Sequence, residues 1–201
     1  MRMRTIFKAH AGLDECLIGL RVDGAGSVWD SFSGAHHLLE HLLSKKIDSA
    51  VGALGGRHDA FTYREYQTHT LAVPYDRIGE ALAAVSAAVG SLCNAGWTEE
   101  DQAQAIRAMQ QERLVHERNP HERLMETLDA ATLCEAYARP TSLIDPPPLL
   151  ERTFLADLAR AAFCADRVTM VYMASNQSML QRARDGLSFP VTIDASPLAY
   201  P

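Results

Sequence analysis

The chain has 201 residues, of which 47% are hydrophobic, and this is enough for one domain with a sizeable core. Its net charge is −6, and it has no basic run or mixed basic and aromatic stretch typical of nucleic-acid-binding surfaces. The longest nearly apolar stretch, residues 81–89, is too short to cross a bilayer. We therefore predict a single domain over residues 1–201, with neither nucleic acid nor a membrane as partner.

The cysteine pattern indicates a reducing compartment. The four cysteines are widely spaced and none belongs to a C-x-x-C motif, which predicts buried, reduced thiols rather than a disulfide framework. The first eight residues lack the apolar segment and cleavage site of a secretory signal. Both observations predict a cytoplasmic protein.

The predicted elements alternate between pairs of strands and blocks of helices. In chain order, they are strands over 4–8 and 16–22, a helix from 35, a short helix over 47–54, strands over 57–63 and 66–73, helices over 75–94, 99–118, 121–137 and 149–162, a strand over 167–174 and a last helix over 177–184. Gly55-Gly56 is a typical helix end, and Thr98 followed by three acidic residues is a typical helix start.

This order of elements predicts an α+β fold with an antiparallel β-sheet and helices packed on one face. The strand over 4–8 is expected to pair with the strand over 16–22. The strands over 57–63 and 66–73 are separated by two polar residues and are expected to form an antiparallel hairpin.

Residues 37–41 read His-Leu-Leu-Glu-His inside the first predicted helix. His37 and His41 are four residues apart, so they share a helix face with β-carbons about 5–6 Å apart. Two neutral imidazoles at this spacing can bind one tetrahedral metal ion, and Glu40 lies close enough to act as a general base. The motif therefore predicts a zinc-dependent hydrolase. The alternative is a pair of surface histidines on an amphipathic helix.

The residues around this motif resemble the pitrilysin (M16) family of metallopeptidases. Residues 26–43 resemble the family's G-S-x-x-E/D step and its G-x-A-H-F-L-E-H-M-L helix. Residues 55–62 resemble its G-G-x-x-N-A-x-T strand, with Asp59 in place of Asn, and residues 98–112 resemble the helix that carries the third metal ligand. The resemblance covers about residues 5–175 and implies a single M16-type half-domain.

The resemblance implies that His37 and His41 bind Zn²⁺ with Glu112 as the third ligand. It implies that Glu40 is the general base. Glu117 remains a competitor for the third ligand, because it lies 76 residues after His41, close to the spacing in long family members, whereas Glu112 lies 71 residues after it. A shortened loop after the motif favours Glu112. Five residues on a helix correspond to about 140°, so only one glutamate can face the site.

The same resemblance implies how a substrate binds. Residues Asp59, Ala60, Phe61 and Thr62 resemble the strand to which family substrates add as an extra strand, a mode that selects short, extended peptides. An acidic residue that precedes the third ligand in the family is replaced here by Ala105, which removes support for the metal site.

In the family, a second homologous half completes the active site with an Arg/Tyr pair spaced R-x6-Y, and this spacing does not occur in the sequence. We therefore expect a zinc endopeptidase subunit that joins a second half-size M16-like chain in a heterodimer, although a homodimer is an alternative. Processing of a peptide precursor or leader is the expected task. The competing hypothesis is a non-catalytic structural or interaction subunit of an M16-like heteromer.

Overall fold

A computed structural model describes residues 4–26, 34–133, 149–164 and 166–175. The strands in these ranges are β1 (Arg4–Ala9), β2 (Cys16–Asp23), β3 (Arg57–Thr62), β4 (Tyr66–Val73) and β5 (Val168–Ala174). The helices are α1 (Ala35–Ala53), α2 (Ile78–Cys93), α3 (Glu99–Arg118), α4 (Pro120–Thr132) and α5 (Arg152–Ala162), and a 3₁₀ turn (Tyr75–Arg77) precedes α2.

The strands form one sheet in the order β1-β5-β2-β4-β3, in which every neighbouring pair is antiparallel except β1 and β5. The predicted pairing of the strand over 4–8 with the strand over 16–22 is wrong, because β5 lies between them. Strand β5 buries every second side chain and has two neighbours, as a central strand should. Strand β1, with exposed Arg4 and Lys8, suits an edge.

Buried side chains alternate along the strands and point to the face that the helices cover. In β2, Cys16, Ile18, Leu20 and Val22 are at most 1% exposed, whereas the intervening residues are half-buried or exposed. Apolar faces of α1, α2 and α5 complete the core on this side. The predicted α+β architecture, with helices packed on one face of the sheet, is therefore confirmed.

Helix α1 is continuous, so the prediction of a separate helix over 47–54 is wrong. Ile47 and Val51 are buried and prolong the apolar stripe of the preceding leucines without a break in helical spacing. The predicted glycine signal does end the helix: Gly55 has a φ of 76°, a conformation that favours glycine. A Cβ on Gly56 would lie 2.8 Å from the carbonyl oxygen of Ala72, so glycine allows β3 to start close beside β4.

The start of α3 confirms the predicted cap. The Thr98 hydroxyl accepts a hydrogen bond from the Asp101 amide, and the Asp101 carboxylate accepts one from the Thr98 amide. Helix α4 begins at Pro120, one residue before the start of the predicted helix over 121–137. The rest of the predicted helix over 121–137 extends beyond the described residues, and the predicted helix over 177–184 lies outside them.

The thiols that the structure describes agree with the sequence prediction. Cys16, Cys93 and Cys164 are free and buried, and burial raises the pKa of the Cys16 thiol to about 11. Cys134 lies outside the described residues. Within the described part of the chain, no helix is both long and apolar enough to span a membrane.

Candidate metal centre

Helix α1 supplies two histidines to one point near its start. Gly34 caps the helix with a φ of 79°, and the leucines that follow fix the helix against the core. His37 and His41, one turn apart, are therefore held at the border of the core, with side chains 19% and 14% exposed. Their Nε2 atoms are 3.1 Å apart. Both imidazoles thus present a nitrogen to the same small volume.

Helix α3 supplies a carboxylate to the same volume. Its buried side chains are Gln102, Ala105 and Met109, spaced at three and four residues, and they define the face that packs on the core. Glu112 continues this spacing one turn beyond Met109. Its Oε2 lies 3.1 Å from Nε2 of His37 and 3.4 Å from Nε2 of His41.

The structure separates the two glutamates that the sequence left in competition. Glu117 accepts a hydrogen bond from Nε of Arg113 at 2.8 Å on the exposed side of α3. Its rotation of about 140° from Glu112 about the helix axis accounts for this difference. The structure brings Glu112 to the two histidines and does not bring Glu117 there.

The donor set fits a zinc ion in both chemistry and size. Two imidazoles and one carboxylate are a ligand set that catalytic zinc sites use. Zinc–ligand bonds of about 2.0–2.1 Å place the ligand atoms of a tetrahedron about 3.3–3.4 Å apart. The three separations here are 3.1, 3.1 and 3.4 Å. Among the described residues, His37, His41 and Glu112 are the one group of three able to hold a metal.

Glu40 lies beside this centre and is held by two hydroxyl groups. Its Oε2 accepts a hydrogen bond from the Thr62 hydroxyl at 3.1 Å and lies 3.9 Å from Nε2 of His37. Its Oε1 accepts a longer hydrogen bond from the Ser44 hydroxyl, at 3.5 Å. The Glu40 side chain is 8% exposed, so these two hydrogen bonds fix the direction of a largely buried carboxylate.

Charge and hydrogen bonding in the centre shift two pKa values in opposite directions. The hydrogen bonds from His37 and His41 hold the pKa of Glu112 far below its usual range, and they outweigh the effect of burial. Burial lowers the pKa of His41, but the hydrogen bond to Glu112 and the negative charges of Glu40 and Glu112 outweigh it, so the net shift is upward. Glu112 is therefore ionised at neutral pH.

As the pH is lowered, we expect the zinc affinity to begin falling at a higher pH than it would at a site whose histidines have an ordinary pKa. Zinc binds neutral imidazole, and the raised pKa of metal-free His41 lies above 6.5, so protons compete from above that pH. Glu112 stays ionised and adds no competition. Zinc titration calorimetry from about pH 8 to about pH 5.5 should give a binding constant that falls about tenfold per pH unit for each proton displaced. A constant affinity across this range would contradict the expectation.

The strand predicted to bind substrate lies at the edge of the sheet. Among the described strands, β3 pairs only with β4, so its other edge is unpaired within this part of the chain. Thr62 and Ala60 face α1 and are half-buried, whereas Asp59 and Phe61 are on the opposite face and exposed, Phe61 by 52%. The Asp59 carboxylate accepts a hydrogen bond from the Ala60 amide at 3.1 Å.

Some polar contacts near the site were not foreseen from the sequence. The hydroxyls of Thr62 and Ser44 orient Glu40, and the only available signal was the four-residue spacing of Ser44 from Glu40. A chain of Asp48, His58 and His69 was also not predicted. Ala105 is buried against the core. Residues 27–33, which include part of the family motif before α1, lie outside the described residues.

His36, beside the motif, is 1% exposed, and its carbonyl oxygen accepts a hydrogen bond from the Gln67 side chain. Its ring is not part of the metal-binding group among the described residues.

Comparisons with known proteins match the part of the chain that contains the candidate metal centre. The sequence model of the family described as Insulinase (Peptidase family M16) matches residues 4–145. The fold is similar to the crystal structure of a peptidase M16 inactive domain from Pseudomonas fluorescens, with a TM-score of 0.68 and 17% sequence identity. The match covers 92% of this chain and 48% of the other, so this chain spans about half the length of that relative. No curated protein matches the sequence.

Proposed function

Because this chain belongs to the insulinase family of peptidases, family M16, we propose that it is the zinc-binding, catalytic part of an endopeptidase. One observation carries the proposal: His37, His41 and Glu112 converge with separations that match the ligands of one zinc ion, and Glu40 lies beside them. A scaffold protein has no physical need for all four groups at this spacing.

In the proposed reaction, zinc, when bound, supplies a Lewis acid and lowers the pKa of water to about 7. Glu40 accepts the proton of the attacking water and passes it to the leaving amine. The Thr62 hydroxyl holds the Glu40 carboxylate for this role by donating a hydrogen bond to Oε2. The open edge of β3 orients the peptide through backbone hydrogen bonds, which favours extended peptides over folded proteins.

We propose that the substrates are short peptides and that precursor or leader processing is the task. His37, His41 and Glu112 lie together beside Glu40, but the sequence has no R-x6-Y pair to clamp a substrate. A second M16-like domain would supply it. We favour a separate chain in a heterodimer over a homodimer, since two copies would give two metal sites and no clamp. Free, buried cysteines support a cytoplasmic location.

A second candidate function is that of a non-catalytic subunit. Two observations favour it: the similar structure from Pseudomonas fluorescens is called an inactive domain, and Ala105 stands where the family has an acidic residue. The likeness at 17% identity concerns the fold. The retained metal-binding group and base favour the catalytic function here.

Removal of the metal tests the proposal. The protein, purified with its natural partner, is assayed on a library of quenched fluorescent peptides before and after treatment with a chelator. We expect chelation to abolish cleavage and about one equivalent of Zn²⁺ to restore it. Cleavage that survives chelation would refute the zinc mechanism. Bound zinc without cleavage of any peptide would favour the non-catalytic subunit.

A further inference from the structure

A chain of three polar residues crosses from the surface of α1 to the interior of the sheet. Nδ1 of His58, on β3, lies 2.7 Å from an Asp48 carboxylate oxygen, and its Nε2 lies 3.2 Å from Nδ1 of His69, on β4. The side chain of His58 is 1% exposed and His69 is fully buried, whereas Asp48 is 57% exposed. We call these residues the Asp48 clamp.

Hydrogen-bonding rules give the Asp48 clamp a direction. A carboxylate only accepts, so His58 donates through Nδ1–H, and a neutral His58 then accepts from Nδ1–H of His69. Burial, with a smaller contribution from His58, lowers the pKa of His69 to about 3, so its ring stays neutral. The two rings are nearly parallel, at 9°, so the hydrogen bond between them lies near the plane of both.

The clamp joins the same two elements as the contact between Thr62 and Glu40. Along α1, Asp48 is eight residues after Glu40, or about 12 Å at 1.5 Å per residue. Along β3, His58 is four residues before Thr62, or about 13 Å at 3.3 Å per residue. The two distances are nearly equal. The pairs connect in antiparallel order, because the earlier residue on α1 contacts the later residue on β3. Two polar contacts thus fix both ends of β3 to the helix that carries the metal ligands.

This attachment matters because β3 has only one neighbour among the described strands of the sheet. An edge strand can shift or fray unless another element holds it. The ion pair between Arg57 and Glu15 joins the start of β3 to a loop rather than to α1.

We propose that the Asp48 clamp positions β3 relative to the metal centre and so sets where a peptide must lie to be cleaved. Asp48 and His58 are positioning residues, because they act through the backbone of β3 and not on the reacting atoms. The inference rests on the proposed function for its effect on cleavage. Its structural part, the attachment of β3 to α1, stands independently.

The test compares Asp48→Ala with wild type in the assembled protein. Asp48 is exposed on a helix and alanine favours helix, so this variant should fold. We expect KM for a peptide to rise about tenfold with kcat within about twofold, because a hydrogen bond to a charged group is lost far from the reacting atoms. Zinc content should not change. Amide hydrogen exchange in residues 57–62 should become about tenfold faster, with α1 residues 37–43 unaffected.

Three further variants separate a positioning role from general damage. Asp48→Asn keeps an acceptor oxygen and should recover most of the wild-type KM. Glu15→Gln breaks the exposed pair at the start of β3 and is the matched control, with KM and exchange expected to stay at wild-type values. His58→Leu, which removes the centre of the clamp, should behave as Asp48→Ala does.

Several outcomes would overturn the inference. Unchanged exchange of β3 in Asp48→Ala would show that the clamp does not hold the strand. Faster exchange with an unchanged KM would show that the strand's position does not govern peptide binding. If the wild-type protein neither cleaves nor binds any peptide, the proposed function fails. The amide hydrogen exchange of residues 57–62 then decides by itself whether the clamp holds β3.

Discussion

Replacing Glu40 by glutamine should abolish peptide cleavage while leaving zinc bound. Glutamine keeps the shape of the side chain, and its carbonyl oxygen can still accept the hydrogen bond from the Thr62 hydroxyl. It cannot accept a proton from the attacking water. General-base catalysis contributes about 10²–10⁴-fold, so we expect kcat to fall by at least about 100-fold. The measurement is steady-state cleavage together with zinc content by elemental analysis.

Two controls belong to this experiment. Glu117→Gln changes a glutamate on the exposed side of α3 and should leave both activity and zinc content unchanged. Ser44→Ala removes the weaker of the two hydroxyl contacts and should have a smaller effect than Glu40→Gln. Full cleavage by Glu40→Gln would show that another group is the base.

Replacing Glu112 by glutamine should remove most of the zinc affinity. The variant loses the only carboxylate within 3.4 Å of the two histidines in the described structure, and an amide is a poor zinc ligand. We expect the affinity to fall by at least about 100-fold and cleavage to fall with it. Competition with a fluorescent chelator measures the affinity, and Glu117→Gln serves as the matched control.

The same variant gives a readout that requires no metal. Glu112 raises the pKa of His41 through its hydrogen bond and its charge, so the pKa of His41 should fall in Glu112→Gln. Titration of the metal-free protein by NMR detects this shift. An unchanged His41 pKa together with wild-type zinc affinity would exclude Glu112 from the centre and reopen the case for another ligand.

Local sequence patterns predicted the elements that build the site. The leucine spacing predicted the first part of α1, and with it the shared face of His37 and His41. Gly55-Gly56 predicted the turn into β3, and Thr98 predicted the start of α3. Each of these patterns depends only on residues that are close together in the sequence, so it can be recognised without the structure.

Long-range pairing was not predictable in the same way. Nothing near residues 4–8 indicates that they pair with β5, more than 150 residues later, rather than with β2. The separate helix predicted over 47–54 was wrong, because the helical spacing of buried residues in α1 continues through Ile47 to Val51. In both cases packing in the folded molecule decides, and local composition carries little of that information.

The candidate site likewise has features that could be predicted from the sequence and contacts that could not. The raw spacing from His41 kept Glu117 in competition, and the shortened loop after the motif favoured Glu112. The buried face of α3 through Ala105 and Met109 explains why Glu112 reaches the histidines. The contacts between α1 and β3 were not foreseen. They join side chains 10 to 22 residues apart whose relative placement depends on how the strand lies against the helix.

The most direct measurement is the zinc content and zinc coordination of the purified protein at neutral pH. We predict about one equivalent of zinc, and X-ray absorption that shows two imidazole nitrogens and carboxylate oxygen without sulfur. Less than about a tenth of an equivalent after incubation with zinc, or sulfur among the ligands, would contradict a centre formed by His37, His41 and Glu112.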